Sequence, residues 1–553
     1  MVSPQYIYDQ LYYMVTHFQH REAGYDTFSG HDAFASYWTQ EMEHNLQGLG
    51  VQTQRDSFSV KGWIGQPAVV PAYNVEVTVP GVLHPAQEVV IGCHYDGEAI
   101  STQSANDDAS GCAIELGIAQ ALGAYWQSNH LAPARTLRFV IFDAEEQGLF
   151  GSYHYVNSTV NGDLSNIVAM FNEEQSGIAY PLRYLGQLAN PLMPFYADLT
   201  PLQNNQLYPN ISSFSAEQMA KIRQFHALMQ QAVPAVFQMF RTNGYQGLSY
   251  HNNNGQNVAQ PIFTPEQISN IHVEDDQLGS SDQMPFTMAG IPCATFSGNS
   301  NYYEASQQPA YPFDQAQDTI QLMNIYADGS SQRSNALMLA LALPGELTVW
   351  MLHQSAILGD AAQPTYPIAA ISDIGLLQPG QALTLNAKAT WQPASDSSTA
   401  HYTWNFGDGT QASGISVSHT YVQPGNYTLT LNVSASSGQS KIQKILTVTD
   451  KTTTYANPYI SYPSNGIPPV NPRITYPTPN NTLSDSILSN MAVGSAEKIV
   501  GATNTTGDTA AVPTVSSHSM ILPITIVGGL LLIVAIALFV IVVRRRRPSG
   551  ESE

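Results

Sequence analysis

Charge is what this chain has least of. Only 11% of its 553 residues are Asp, Glu, Lys or Arg, against about a quarter in ordinary globular proteins. Cations are the scarcer kind: 20 Lys and Arg stand against 42 Asp and Glu, for a formal net charge of −22. Arg544, Arg545, Arg546 and Arg547 are crowded at the C-terminal end, so the rest of the chain has no basic stripe and nucleic acid is excluded as a partner. Cysteine is nearly absent as well. Three residues, Cys93, Cys112 and Cys293, exclude a fully paired disulfide framework and read as small buried apolar side chains. A leader is missing from the sequence too: MVSPQYIYDQLYYMV has neither a basic n-region nor a long apolar h-region, so no signal peptide is read there.

Polar uncharged residues (Gln, Asn, Ser, Thr, Tyr) replace the missing charges. Such a surface changes its charge little in acid, where carboxylates protonate; it equally suits a glycosylated ectodomain. Asn157, Asn210, Asn426, Asn432, Asn480 and Asn504 lie in N-x-S/T sequons, which agree with an external location. From Ile521 to Val543 the chain is uncharged and apolar. As a helix this run would be about 35 Å long, enough to cross a bilayer. The four arginines after it place the tail in the cytoplasm and everything before it outside. An anchor inserted without a leader would push those arginines across the membrane, so the expectation is a translation start upstream of Met1.

A chain of 553 residues is too long for one core. Residues 1–355 alternate strand-like and helix-like stretches, the pattern of an α/β domain. After Asp107 a helix is predicted, with Ile114, Ile118, Leu122 and Tyr125 on one face and Asp107, Asp108 and Ser110 near its start; capping is the ordinary role of such Asp and Ser residues. Residues 366–450 change to short alternating strands, with a turn at Asp408-Gly409 and an alternation of Tyr427, Leu429, Leu431 and Val433. WNFGDGT and HTY…PGNYTLTL resemble the PKD domain, an immunoglobulin-like β-sandwich, which implies a spacer or adhesive module. Residues 451–519 are rich in Pro, Asn, Thr and Ser and read as a disordered stalk, followed by a transmembrane helix over 520–543 and a cytoplasmic tail over 544–553.

Four segments of the first domain carry chemistry: VVIGCHYDGE at His94, SANDDASG at Asp107, RFVIFDAEEQGLFGS at Glu145 and Glu146, and IVAMFNEEQSG at Glu174. Three of these polar clusters end an apolar run that reads as a buried strand, and in open α/β sheets ligands gather outside the carboxyl ends of strands. One imidazole with several carboxylates is a ligand set for a divalent metal, zinc above all. A metal-bound imidazole needs its second nitrogen held, a task within reach of Asp96. The adjacent glutamates would supply one ligand and one free base.

H-x-D, N-D-x-A-S-G, F-x-x-E-E-x-G-L-x-G-S and S-D-x-x-P-F-x-x-A-G-I-P resemble the di-zinc exopeptidase family of bacterial leucyl aminopeptidases and glutamate carboxypeptidase-like metallopeptidases, over about residues 5–345. The resemblance implies a three-layer α/β/α head with a mixed sheet, two zinc ions or another divalent metal, and peptide substrates. His94 would bind the first ion, Asp107 would bridge, Glu146 would bind the second, and Glu145 would be the general base. The match departs from the family at three places. Asn172-Glu173-Glu174 replaces N-x-D, which makes Glu174 the ligand. Asp314, in AYPFDQAQDT, stands where the family has its last histidine, with Asp318 and Thr319 retained, while Ser281-Asp282-Gln283 replaces S-D-H. Either Asp314 is a ligand that survives in acid where imidazole protonates, or the second metal is lost. The intact Asp107 and Glu145 favour the first, and His272 is a further recruit.

The expected reaction is metal-assisted peptide hydrolysis, with Glu145 as base and a tyrosine near the last ligand, Tyr311 among Tyr302, Tyr303 and Tyr311, donating to the oxyanion. An insertion over residues 177–270 is expected to shape the substrate pocket. Nothing resembles an arginine clamp for an acidic C-terminal residue, which favours an aminopeptidase. The alternatives are a one-metal glutaminyl cyclase-like enzyme and an inactive surface adhesion protein.

Overall fold

The computed structural model describes residues 1–23, 30–61, 69–159, 164–183, 191–251, 256–277, 281–298, 311–329, 333–374, 377–393, 396 and 400–448. The stalk, transmembrane helix and tail expected from the sequence lie outside these residues, as do Tyr302 and Tyr303.

The head is built on an eight-stranded mixed sheet. Its strands are β1 (Gln52–Lys61), β2 (Val69–Val79), β3 (His84–His94), β4 (Arg135–Phe142), β5 (Ile167–Glu173), β6 (Phe195–Leu199), β7 (Ile271–Asp275) and β8 (Cys293–Ser297). They lie in the order β1-β2-β4-β3-β5-β8-β6-β7. The middle of the sheet is parallel, β4 with β3, β3 with β5 and β5 with β8. The carboxyl ends of those strands therefore emerge along one edge. Both faces of the middle strands are covered, which explains their near-continuous Val, Ile and Phe. β3 shows the entry into the core directly: its first four residues are exposed and its last six buried.

One face of the sheet carries the main helices, α1 (Pro4–His17), α2 (Gly30–Asn45), α3 (Ala109–Asn129), α4 (Ala216–Thr242) and α5 (Asn335–Leu352). Val89, Ile91, Cys93 and Phe139 point into this layer. Val90, Val140, Phe142 and Met170 point the other way, under a thinner cover of Tyr155, Val156, Phe286 and Ile291. α5 packs against α1, α3 and α4. Among the described residues it is the one helix long and apolar enough to cross a membrane, and it is mostly buried in the head.

The predicted helix after Asp107 is α3, started by Asp108, whose side chain accepts the Gly111 N–H. Ile114, Ile118 and Leu122 are buried as expected. Tyr125 is not: it is 39% exposed, and Trp126 takes the inward position, donating to Asp360 at 2.7 Å. Near the helix end the hydrogen bond available to the indole outweighs the apolar count. The cysteines also correct the reading. Cys93 and Cys112 form a disulfide between β3 and α3, while Cys293 stays free and buried; pairing across 19 residues depends on β3 lying under α3, which periodicity does not reveal.

The C-terminal β-sandwich sets a four-stranded sheet, in which His401–Asn405, Gln411–Ser413, Gly425–Ala435 and Gly438–Val448 pair, against the pair Ala382–Asn386 and Ser416–Thr420. Trp404, Leu385, Leu429, Leu431 and Val433 fill its core. The turn predicted at Asp408-Gly409 joins Asn405 to Gln411, and Gly407 and Gly409 both take positive φ there, as a tight turn demands. The sandwich meets the head where Gly50 N–H donates to the Ala389 carbonyl and Arg55 pairs with Asp373.

Candidate metal centre

Each polar segment singled out in the sequence ends at the same edge of the sheet. His94 is the last residue of β3 and is buried. Its Nε2 lies 2.9 Å from Asp107 Oδ1 and 3.8 Å from Glu174 Oε2. Asp107 comes from the loop before α3, and Glu174 follows β5 directly. Donor atoms of His94, Asp107 and Glu146 lie within 4.8 Å of one another, as do those of His94, Asp108 and Glu174. Asp108, however, has its oxygens engaged by the N–H groups of Gly111, His94 and Gln175, so its capping role holds and it fastens three pieces of the centre together.

Asp96 does more than the sequence suggests. Its Oδ1 is 3.4 Å from His94 Nδ1, and its two oxygens also accept the backbone N–H groups of Glu145 at 3.1 Å and Glu146 at 3.2 Å. One carboxylate thus holds the paired glutamates by hydrogen bonds and lies against the histidine at ion-pair distance. Glu146 Oε1 accepts the Glu98 N–H, and Glu174 Oε2 accepts the Ser281 hydroxyl at 2.6 Å.

Asp314 joins the cluster. Its carboxyl is pushed well up by burial and by Asp107 and Glu98 around it, and its Oδ1 is shielded without a hydrogen-bond partner. Glu146 is pushed up by burial and then by Asp314. Glu145 is raised by burial; His94 opposes, and Glu174, Asp282 and Asp107 add to the rise. On His94 burial favours the neutral ring, but Glu145, Asp107, Asp96 and Glu174 outweigh it. Two causes act together in these carboxyl shifts, burial first and then a negative charge larger than the protein neutralises. An orphaned carboxylate oxygen in a pocket of one imidazole and several carboxylates fits a divalent cation, and the donors suit zinc.

Several supports escaped the sequence reading. Asp318 accepts the N–H groups of Asn106 at 2.9 Å and Asp107 at 3.0 Å, which fixes Asp107; burial pushes it up to about 7, with the Tyr311 hydroxyl opposing. Arg21 is buried beneath the loops and donates to the carbonyls of Tyr95, Gln103 and Ser104. Burial lowers it to about 10, with Asp318, Asp96, Asp108 and Glu146 opposing. A lone arginine near the N-terminus carries no pattern that would announce this. The retained Asp318 was the one available signal.

Two expectations are corrected. Tyr311 is buried and gives its hydroxyl to Asp318 at 2.7 Å, so it braces Asp107 rather than facing an oxyanion. His272 lies on β7, the far edge strand, its ring tilted against that of Tyr196, and β5, β8 and β6 separate it from β3. Gln283, at the altered S-D-H position, turns toward Asp276 and Asn172. Asp282 beside it is buried without a hydrogen-bond partner for either oxygen.

The chain carries a peptidase family M28 domain, matched over residues 74–257, followed by a PKD domain matched over residues 364–449. It is similar to Aminopeptidase YwaD of Bacillus subtilis, 33% identical over 92 residues that make up 17% of this chain and 19% of that one. It is similar also to Leupeptin-inactivating enzyme 1 of Streptomyces exfoliatus, 30% identical over 140 residues, 25% of this chain and 29% of that one. The match thus spans less than a third of either curated relative. Among solved structures, a zinc aminopeptidase from Bacillus subtilis aligns with a TM-score of 0.42 at 14% identity, over 65% of this chain and 96% of that one. A Porphyromonas gingivalis glutaminyl cyclase aligns with a TM-score of 0.41 at 16% identity, over 64% and 98%.

Proposed function

We propose that the head is a zinc-dependent exopeptidase, an aminopeptidase that removes residues from the N-terminus of peptides. The observation that carries this reading is the convergence of His94, Asp107, Glu146, Glu174 and Asp314 beside the unligated Glu145 at the carboxyl edge of the sheet. His94, Asp107 and Glu174 would hold one ion, and Asp107, Glu146 and Asp314 a second. Zinc bound there would polarise the scissile carbonyl and acidify the attacking water.

Glu145 takes the proton of that water and passes it to the leaving amine. Its neighbours keep it placed for both transfers. Asp96 holds the Glu145 and Glu146 amides, Asp318 holds Asp107, and Ser281 holds Glu174. Such bracing is the second shell on which metal centres depend.

The same reading places the head outside the cell, on a stalk over 451–519 and a membrane helix over 520–543. The Cys93–Cys112 disulfide belongs to the chemistry of an oxidising compartment, and the sequons agree with it. Metal analysis of the purified protein, with a screen of aminoacyl-p-nitroanilides across pH, tests the activity. Two zinc ions per chain and turnover of unblocked substrates are expected. A single ion with cyclisation of N-terminal glutamine, or no zinc or cobalt binding at any pH, would overturn the reading.

A further inference from the structure

The loop that leaves β4 with Glu145 and Glu146 is anchored from behind by Asp143. Asp143 Oδ1 accepts the Ala144 N–H at 2.9 Å and faces His31 Nε2 at 2.9 Å. Its Oδ2 accepts the Tyr73 N–H at 2.8 Å and the Tyr95 hydroxyl at 3.2 Å. Asp143 is wholly buried. With no water to satisfy it, the carboxylate stands where these donors stand, and a shift of Tyr73 becomes a shift of the chain entering Glu145.

Tyr73 is held in turn from the outer side of the sheet. The Arg55 guanidinium lies over its ring, 5.4 Å from the centroid, and its hydroxyl donates to Asp32 at 2.7 Å. Arg55 is clamped by Asp373, with Nη2 2.8 Å and Nε 3.3 Å from Oδ2. Paired contacts of this kind fix the plane of a guanidinium as well as its place, and the plane is what a ring contact needs. Asp373 is not a residue of the head. It belongs to the segment that enters the sandwich, and its own N–H is held by Glu43 of α2 at 2.6 Å.

We infer that Asp373 is a positioning residue for the catalytic loop, acting through Arg55, Tyr73 and Asp143 on Ala144 and Glu145. The sandwich is then a working part of the head, not only the spacer that its sequence suggests. A passive spacer needs surface contact alone, whereas Asp373 supplies a buried guanidinium with its anionic partner. Removing that partner leaves the guanidinium, among the described residues, only the long contact with the Ser36 hydroxyl at 3.4 Å to hold it over the Tyr73 ring, and the relaxation runs along contacts that end at Ala144, next to the base.

The full-length protein loaded with zinc tests this through Asp373→Asn, Arg55→Lys and the double variant. Hydrogen–deuterium exchange of peptides covering residues 143–149 reads the loop directly, and kcat and KM on an aminoacyl-p-nitroanilide read its consequence. For Asp373→Asn we expect faster exchange confined to that loop, with α3 and α5 as protected as before. We expect kcat to fall about ten- to a hundredfold, the effect of a displaced catalytic group, with KM little changed. The double variant should be no worse than the more impaired single one, since both break one chain of contacts. Unchanged loop exchange in a folded variant, or effects of the two substitutions that add, would overturn the inference. If Asp373→Asn does not fold, Arg55→Lys, which keeps the charge but loses the planar fork, carries the same exchange test. The kinetic arm rests on the peptidase reading; the exchange arm does not, so even an inactive protein would show whether the loop loosens.

Discussion

His94 Nε2 stands 2.9 Å from Asp107 Oδ1 although the two residues are 13 positions apart, one ending a strand and the other preceding a helix. The disulfide between Cys93 and Cys112 joins the same strand and helix, so a covalent bond helps keep His94, proposed as the first metal ligand, beside Asp107, proposed as the bridging one. Around this pair the chain gathers carboxylates whose charges it leaves uncompensated.

In the proposed mechanism the base is the part most exposed to a single substitution. Glu145→Gln keeps the shape and the backbone bond to Asp96 but cannot accept a proton. Turnover should fall about 10²- to 10⁴-fold, while zinc content measured by atomic emission stays at the wild-type value. Full activity in this variant would remove Glu145 from its role.

Asp314 predicts behaviour in acid. An ordinary carboxylate keeps its lone pairs free to a pH roughly two to three units lower than imidazole does, bound cations would offset the neighbouring negative charge that helps raise Asp314, and ligands must be deprotonated to bind. Asp314→His should therefore still bind two ions at neutral pH but release one at a higher pH than the wild type. Zinc stoichiometry after dialysis over a pH series checks this, and coincident release curves would count against Asp314 as a ligand.

His31 predicts a loss of stability in base. Burial opposes its charged form, but Asp143 at 2.9 Å, with Asp32 at 3.2 Å, outweighs burial and raises the ring from 6.5 to about 10. A folded-state value above the unfolded one means the contribution is complete below about 6.5 and fades as pH rises toward 10. Thermal unfolding between pH 6 and 11 should show that decline. His31→Gln should flatten it and lower stability near neutrality by an amount on the order of a few kcal/mol.

The disulfide predicts a simple cost. Cys93 and Cys112 close a loop with a sequence separation of 19, for which chain entropy alone suggests about 3 kcal/mol. Replacing both by Ala should lower the midpoint of denaturant unfolding accordingly, with the slope reporting any change in the unfolded state. A midpoint equal to that of the wild type would mean that the bond adds nothing to the native fold.

Some of this molecule is written locally. β3, β4 and β5 are apolar runs long enough to be buried on both faces, and a polar residue at the end of such a run must leave the sheet at its edge. That local rule already places His94, Glu145, Glu146 and Glu174 together. The hairpin at Asp408-Gly409 is equally local, because only glycine adopts those backbone angles without strain. The positions that no pattern announces are those whose partners lie far along the chain. Tyr311 reads in the sequence as a donor to substrate but braces Asp318, and Tyr125 yields its inward place to Trp126. His31, Arg21 and Arg55 carry no repeat or motif at all.

The sequence by itself determined the strands, the edge at which they end and the kinds of side chain delivered there, since periodicity and polarity act over a few residues. Only the tertiary structure decided which carboxylates face His94 and which brace its partners. It also decided that Cys93 meets Cys112 and that a sandwich residue, Asp373, clamps Arg55 over the Tyr73 ring. The physical reason is burial: a carboxylate cut off from water must find its donors wherever the folded chain brings them, and that choice is made by the packing of whole elements rather than by neighbours in sequence.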